Sequence, residues 1–233
     1  MFDFDGTLAD SFPWFTSVIN GVAERYRFRR IAADEVDALR GMDARGIIRH
    51  LGIPAWKLPF ITRHMHRLAA RDIAAIPLFP GIRDMLAALD AEGLRLGIAS
   101  SNNESNIRRA LGPGEAGRFR HYACGASLFG KAKRLRALIR DAGIDPAEAL
   151  YVGDEIRDHV AAGEVGCAFG AVAWGYTRAD ALAALRPTHL FQRPDMIVTA
   201  LRAVATAPQV AGNGRMTDAH GLPDAPRSRD VNL

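Results

Sequence analysis

Asp3 and Asp5 stand two apart in the stretch Asp3-Phe4-Asp5-Gly6-Thr7-Leu8. In an extended chain, residues two apart face the same side. At the end of a parallel strand, that side is where such sheets keep their ligands. An Asp-Gly turn uses the same residue types, so this stretch alone leaves both readings open. A second stretch, Ala99-Ser100-Ser101-Asn102, puts hydroxyls and an amide at a strand-to-helix junction. Free backbone N–H groups and a hydroxyl there suit a phosphate, although a plain helix cap looks alike. Third, Gly130-Lys131 opens a helix with one cation, and Lys133 competes with it two residues on. Fourth, the apolar Leu150-Tyr151-Val152 runs into Gly153-Asp154, with Asp158 four residues later. If a helix starts near Glu155, both acids can face one pocket, and oxygen ligands of this kind suit Mg²⁺.

These groups need a scaffold that gathers strand ends. Residues 1–8 read as a short apolar strand entering the turn. From 77 onward the pattern alternates: helix 82–91, strand 94–99, helix 104–111, strand 122–124, helix 131–142, strand 149–152, helix 157–164 and strand 168–172. Alternation of this kind predicts an α/β fold with a Rossmann-like, doubly wound parallel sheet. Between residues 10 and 76 only helical patterns occur, at 14–22, 33–39, 44–51 and 56–73, with Ser11 as a cap for the first. The expected domains are a core of residues 1–9 and 77–205, a small all-helical cap of 10–76 inserted after the first strand, and a disordered tail of 206–233 rich in Gly, Pro, Asn and Arg.

The order Asp-x-Asp-Gly-Thr, Ser-Ser-Asn, loop Lys, then Gly-Asp-x-x-x-Asp resembles the haloacid dehalogenase superfamily, and within it the phosphoglycolate phosphatase-like branch. The likeness runs from Met1 to about Leu201. It implies a hydrolase of small phosphomonoesters, with Asp3 as nucleophile and Asp5 as the acid and then the base. Ser100 would hold a phosphoryl oxygen, helped by Ser101, Asn102 and the Gly6-Thr7 loop, and Lys131 would stabilise charge. Mg²⁺ would sit on the Asp3 carboxylate, the Asp5 carbonyl and Asp154, with Asp158 behind. Asp5 and Asp154 argue against a dehalogenase, and Asp5 against a phosphonate hydrolase. A phosphomutase keeps all these residues and stays open.

Substrate choice is expected from the cap. Arg40, Arg45 and Arg49 flank the Gly41-Met42-Asp43 turn, and Arg45 is taken as the one that meets a substrate carboxylate or second phosphate. His64 and His66 read as surface. One feature departs from the family: only Met1 and Phe2 precede Asp3, so the central strand should be about half length and short of ladder hydrogen bonds. A weakly active relative that binds phospho-ligands or proteins is therefore a second alternative.

Bulk properties narrow the partners. The net charge is +4, but Arg and Lys are interleaved with acids, which argues against nucleic acid and fits attraction of phosphorylated metabolites. No apolar run reaches membrane-span length. The first residues have no secretory pattern, and the two cysteines, Cys124 and Cys167, form no motif, so a reduced cytoplasmic protein is expected.

Overall fold

Short apolar runs form the inner strands at 96–100, 150–153 and 168–172, and their burial dictates a sheet covered on both sides. The computed structural model describes residues 1–125 and 130–206, with side chains to 203. Its strands are β1 (Leu96–Ser100), β2 (Phe119–Cys124), β3 (Leu150–Gly153), β4 (Ala168–Val172) and β5 (His189–Phe191). β1 pairs with β2, β3 with β4 and β4 with β5, all parallel.

The two groups of strands are joined by three residues. Phe2 bridges Ile98 on one side and Val152 on the other, both parallel. The spatial order is therefore β2, β1, the Met1–Asp3 segment, β3, β4, β5. Phe2 N–H donates to Gly97 O and Asp3 N–H to Val152 O, while Phe2 O and Met1 O accept from Ala99 and Val152, all at 2.9 Å. The strand expected over residues 1–8 thus shrinks to this segment, because Phe4 O already closes a turn with Leu8 and Ala9 N–H. The expected shortage of ladder bonds does not extend to Met1–Asp3, which is bonded on both edges.

Helices α1 (Phe12–Tyr26), α2 (Val36–Leu39), α3 (Ala44–His50) and α4 (Leu58–Asp72) follow, with only short 3-10 turns besides. Ser11 precedes α1, but its buried hydroxyl makes no cap bond and meets the Tyr176 hydroxyl at 3.0 Å instead. Trp14 Nε1 donates to Asp72 Oδ2 at 3.0 Å, tying the start of α1 to the end of α4.

The sheet is flanked by α5 (Ile82–Ala91), α6 (Glu104–Arg118), α7 (Lys131–Ala142), α8 (Ile156–Val165), α9 (Ala179–Ala184) and α10 (Asp195–Thr206). Ile82, Leu86 and Leu89 of α5, Ile107 and Leu111 of α6 and Ile197 of α10 pack with Phe2 and Ile98. On the other face Leu135, Leu138 and Ile139 of α7, Ala162 of α8 and Leu182 of α9 pack with Tyr151 and Phe169. This is the doubly wound arrangement the alternation implies. Helix α6 runs past the expected residue 111 because Gly112, at φ 76°, bends the chain and Pro113 starts a second helical piece. Beyond residue 172 the chain adds α9, the short β5 and α10, none of them among the expected elements, although Ile197, Val198 and Leu201 of α10 recur at helical spacing. Among the described residues no helix is long and apolar enough to cross a membrane. Residues 207–233, and with them nearly all of the expected tail, lie outside the described residues.

Candidate active site

Parallel strands end at one edge, so their loops converge there. Asp3 ends the central segment, Ser100 ends β1, Gly153-Asp154 ends β3, and Lys131 begins α7 on the neighbouring loop. Asp3, Ser100, Lys131, Asp154 and Asp158 are all buried, and Asp5 is half-buried. Carboxylate oxygens of Asp3, Asp154 and Asp158 lie within 4.8 Å of one another.

Each member has fixed partners. Asp3 Oδ1 accepts from the Phe4 N–H at 2.7 Å, and its Oδ2 meets Lys131 Nζ. Lys131 also contacts Asp158 Oδ1 at 2.9 Å. Asp158 in turn accepts from the Glu155 N–H at 3.1 Å and the Tyr151 hydroxyl at 3.3 Å. Asp154 is held by neutral donors, the Thr7 hydroxyl on Oδ1 and the Tyr176 N–H on Oδ2, both at 2.8 Å. Helix α8 begins just after Glu155, which places Asp158 in its first turn, facing the same pocket as Asp154.

The charges do not balance. Burial raises the Asp154 carboxyl well above its ordinary range, and Glu155, Asp158 and Asp3 add to the shift. Burial also lifts Asp158 to about 6, against the pull of Lys131. Burial opposes the Lys131 charge, yet Asp158 and Asp3 outweigh it and its pKa rises. Asp5 is raised by loss of water and by the nearby Asp3 charge. Three clustered carboxylates against one contacting ammonium leave a buried negative surplus, which is costly without a further cation. An all-oxygen donor set of this charge fits a hard divalent ion such as Mg²⁺. The cradle is also tight: a Cβ on Gly6 would lie 2.1 Å from Asp154 Oδ2.

The residues expected to bind substrate divide. Ser100 Oγ accepts from the Asn102 N–H at 3.2 Å, and among the described residues its own proton has no acceptor. Ser101 is half-buried beside it. Asn102 is spent inside the protein: its Nδ2 donates to Asp5 Oδ2 at 3.0 Å, and its Oδ1 accepts from Asn103 N–H and Asn106 Nδ2. The Thr7 hydroxyl is spent on Asp154, and the Gly6 and Thr7 N–H groups close turns onto Ala9 O and Phe4 O. Arg45 is exposed on α3. Arg40 instead reaches the loop after β4, donating to Tyr176 O at 2.9 Å and Gly175 O at 3.0 Å.

That loop, Ala173 to Arg178, escaped sequence reasoning. Trp174 Nε1 donates to Thr7 O at 3.0 Å, and Tyr176 packs against Phe12 and Phe15. Its one sequence signal is an aromatic–Gly–aromatic run directly after an apolar strand.

Comparison with known proteins follows the same residues. The model of the haloacid dehalogenase-like hydrolases matches residues 1–172. A phosphoglycolate phosphatase of Synechococcus elongatus is 35% identical over 202 residues, covering 86% of this chain and 95% of that protein. Phosphoglycolate phosphatase 1 of Pseudomonas aeruginosa is 27% identical, covering 81% and 74%. A haloacid dehalogenase-like hydrolase from Streptococcus pneumoniae, 19% identical, shares the fold with a TM-score of 0.72 over 86% of this chain and 96% of that one.

Proposed function

The chain belongs to the haloacid dehalogenase-like hydrolase family, and from that premise we propose a Mg²⁺-dependent phosphatase that hydrolyses small phosphomonoesters, phosphoglycolate or sugar phosphates, through an aspartyl-phosphate on Asp3. The observation that carries this reading is the meeting of Asp3, Ser100, Lys131 and Asp154 at one sheet edge, with Asp5 beside them. The names of the relatives favour hydrolysis over a mutase reaction.

In this reading the Asp3 carboxylate attacks phosphorus while Lys131 and the Ser100 hydroxyl neutralise the phosphoryl oxygens. Asp5, whose raised pKa suits proton transfer, gives its proton to the leaving oxygen. Asp5 then takes a proton from water, which attacks the aspartyl-phosphate and releases inorganic phosphate. Asn102 keeps the Asp5 carboxyl turned toward this position. Asp3, the Asp5 carbonyl and Asp154 would hold Mg²⁺, which when bound offsets repulsion between phosphate and carboxylates. Asp158, committed to Lys131, Tyr151 and the Glu155 N–H, braces the site from behind.

We assign residues 10–76 to a cap over a core of 1–9 and 77–205, since the helical segment meets the site loops through Arg40 and Tyr176. The two free thiols, Cys124 and Cys167, are in keeping with a cytoplasmic enzyme. The test is phosphate release from p-nitrophenyl phosphate with and without Mg²⁺, for the parent and Asp3→Asn. Turnover that needs Mg²⁺ and falls on the order of 10³-fold or more in Asp3→Asn is expected. A folded parent with no turnover, or an active Asp3→Asn, would overturn the reading.

A further inference from the structure

Arg40 follows the buried Leu39 at the end of α2, beside the Gly41-Met42-Asp43 turn. It is half-buried, and its Cζ lies 5.1 Å from the centre of the Phe12 ring. Its guanidinium is committed to the loop after β4. Nε donates to Tyr176 O at 2.9 Å and Nη2 to Gly175 O at 3.0 Å, so one planar fork spans two successive carbonyls.

Gly175 O belongs to the same peptide unit as the Tyr176 N–H. That unit is planar and trans, so its C=O and N–H point in opposite directions and turn together. On one side it accepts from Arg40, and on the other it donates to Asp154 Oδ2 at 2.8 Å. Arg40 and Asp154 are thus joined through a single rigid plate. A rotation that carried the N–H away from Asp154 would also carry the C=O away from Arg40. A cation on the carbonyl polarises the peptide as well, which strengthens the bond its N–H donates. Thr7 holds Asp154 Oδ1 and the plate holds Oδ2, so together they fix the rotation of the carboxylate.

Docking of α2 has other supports. The Arg178 N–H donates to Arg40 O at 2.9 Å, and the Arg178 guanidinium meets Asp37 of α2 at 3.2 Å. These contacts tie α2 to the same loop without touching the Gly175–Tyr176 peptide.

We propose that Arg40 is a positioning residue for the metal site: through the Gly175–Tyr176 peptide it sets the orientation in which Asp154 receives Mg²⁺. This rests on the Mg²⁺ reading above. By linkage, Mg²⁺ in turn favours the arrangement in which the end of α2 grips the loop.

The experiment is isothermal titration calorimetry with Mg²⁺ alone, on the parent, Arg40→Met, Arg40→Lys and Asp37→Asn, with urea denaturation to establish that each is folded. Arg40→Met removes the fork, and Mg²⁺ affinity should fall on the order of 10-fold, the usual effect of losing a partner behind a ligand. Arg40→Lys keeps the charge without the fork, and its affinity should fall as well. Asp37→Asn loosens α2 from Arg178 only, and should bind Mg²⁺ as the parent does. At saturating Mg²⁺ the KM for p-nitrophenyl phosphate should be unchanged in Arg40→Met. Parent-like Mg²⁺ affinity in folded Arg40→Met or Arg40→Lys overturns this inference; if Arg40→Met does not fold, Arg40→Lys decides. An equal loss in Asp37→Asn overturns it too, by tracing the effect to looser docking, and a raised KM does so by making Arg40 a substrate contact. A parent that binds no Mg²⁺ overturns the metal reading, and this inference falls with it.

Discussion

Asn102 Nδ2 donates to Asp5 Oδ2 at 3.0 Å, joining two residues 97 positions apart. The amide cannot flip without cost, because its oxygen already accepts from Asn103 N–H and Asn106 Nδ2. Asn102 therefore fixes where the Asp5 carboxyl points. Asn102→Ala should lower kcat about 10-fold with a smaller change in KM, as loss of positioning rather than of binding. Steady-state kinetics on p-nitrophenyl phosphate reads this split; an unchanged kcat would remove Asn102 from the mechanism.

Thr7 offers a cleaner test of the acidic cluster. Its hydroxyl donates to Asp154 Oδ1 at 2.8 Å, and valine keeps its shape. Thr7→Val should weaken Mg²⁺ binding on the order of 10-fold, the usual effect of losing a partner behind a ligand. Calorimetric melting against Mg²⁺ concentration measures it without turnover, since a ligand that prefers the folded state raises Tm. A parent whose Tm ignores Mg²⁺ would count against the metal site itself.

The loop after β4 is packed too closely to accept a methyl group. A Cβ on Gly175 would lie 2.2 Å from Asp154 Cβ and 2.5 Å from Gly6 O, both rigid atoms. Gly175→Ala should cost about 1–3 kcal/mol of stability, the range for overpacking. Urea denaturation gives the value. The same variant should lose Mg²⁺-induced stabilisation, since relief of the clash must displace Asp154 or the Gly6 turn.

Trp14 and Asp72 report on the join between α1 and α4. The Arg71 guanidinium, with the Trp14 indole N–H, holds the Asp72 carboxyl down at about 2. Because the folded pKa lies below the unfolded one, the linked stability is complete above about 4 and disappears as pH falls through about 2. Trp14→Phe removes one donor, so the Asp72 pKa should rise toward its ordinary value. Carboxyl chemical shifts followed by NMR titration would show this, and an unmoved titration would dismiss the indole contribution.

Much of the core was legible because its signals are local. Helices α5 and α7 begin and end where their apolar periods do, and β4 is one apolar run. Strand β2 begins three residues earlier than read, at Phe119, because its outward residues are polar and hide the strand. His66, expected at the surface, is half-buried, and nothing in its sequence neighbours announces this.

By itself the sequence determined which chemistry was on offer: the paired acids at Asp3 and Asp5, the hydroxyls after β1, Lys131, and the acids at Asp154 and Asp158. It also set the order of strands and helices that brings them to one edge, since periods of two and 3.6 residues are written in neighbours. Which polar groups are already spent, and which remain for a substrate, is settled by packing between distant loops. Thr7 and Asp154 are 147 residues apart, and Trp174 and Thr7 167 apart. Such pairs are chosen by how packed layers bring distant loops together, and no local pattern records them.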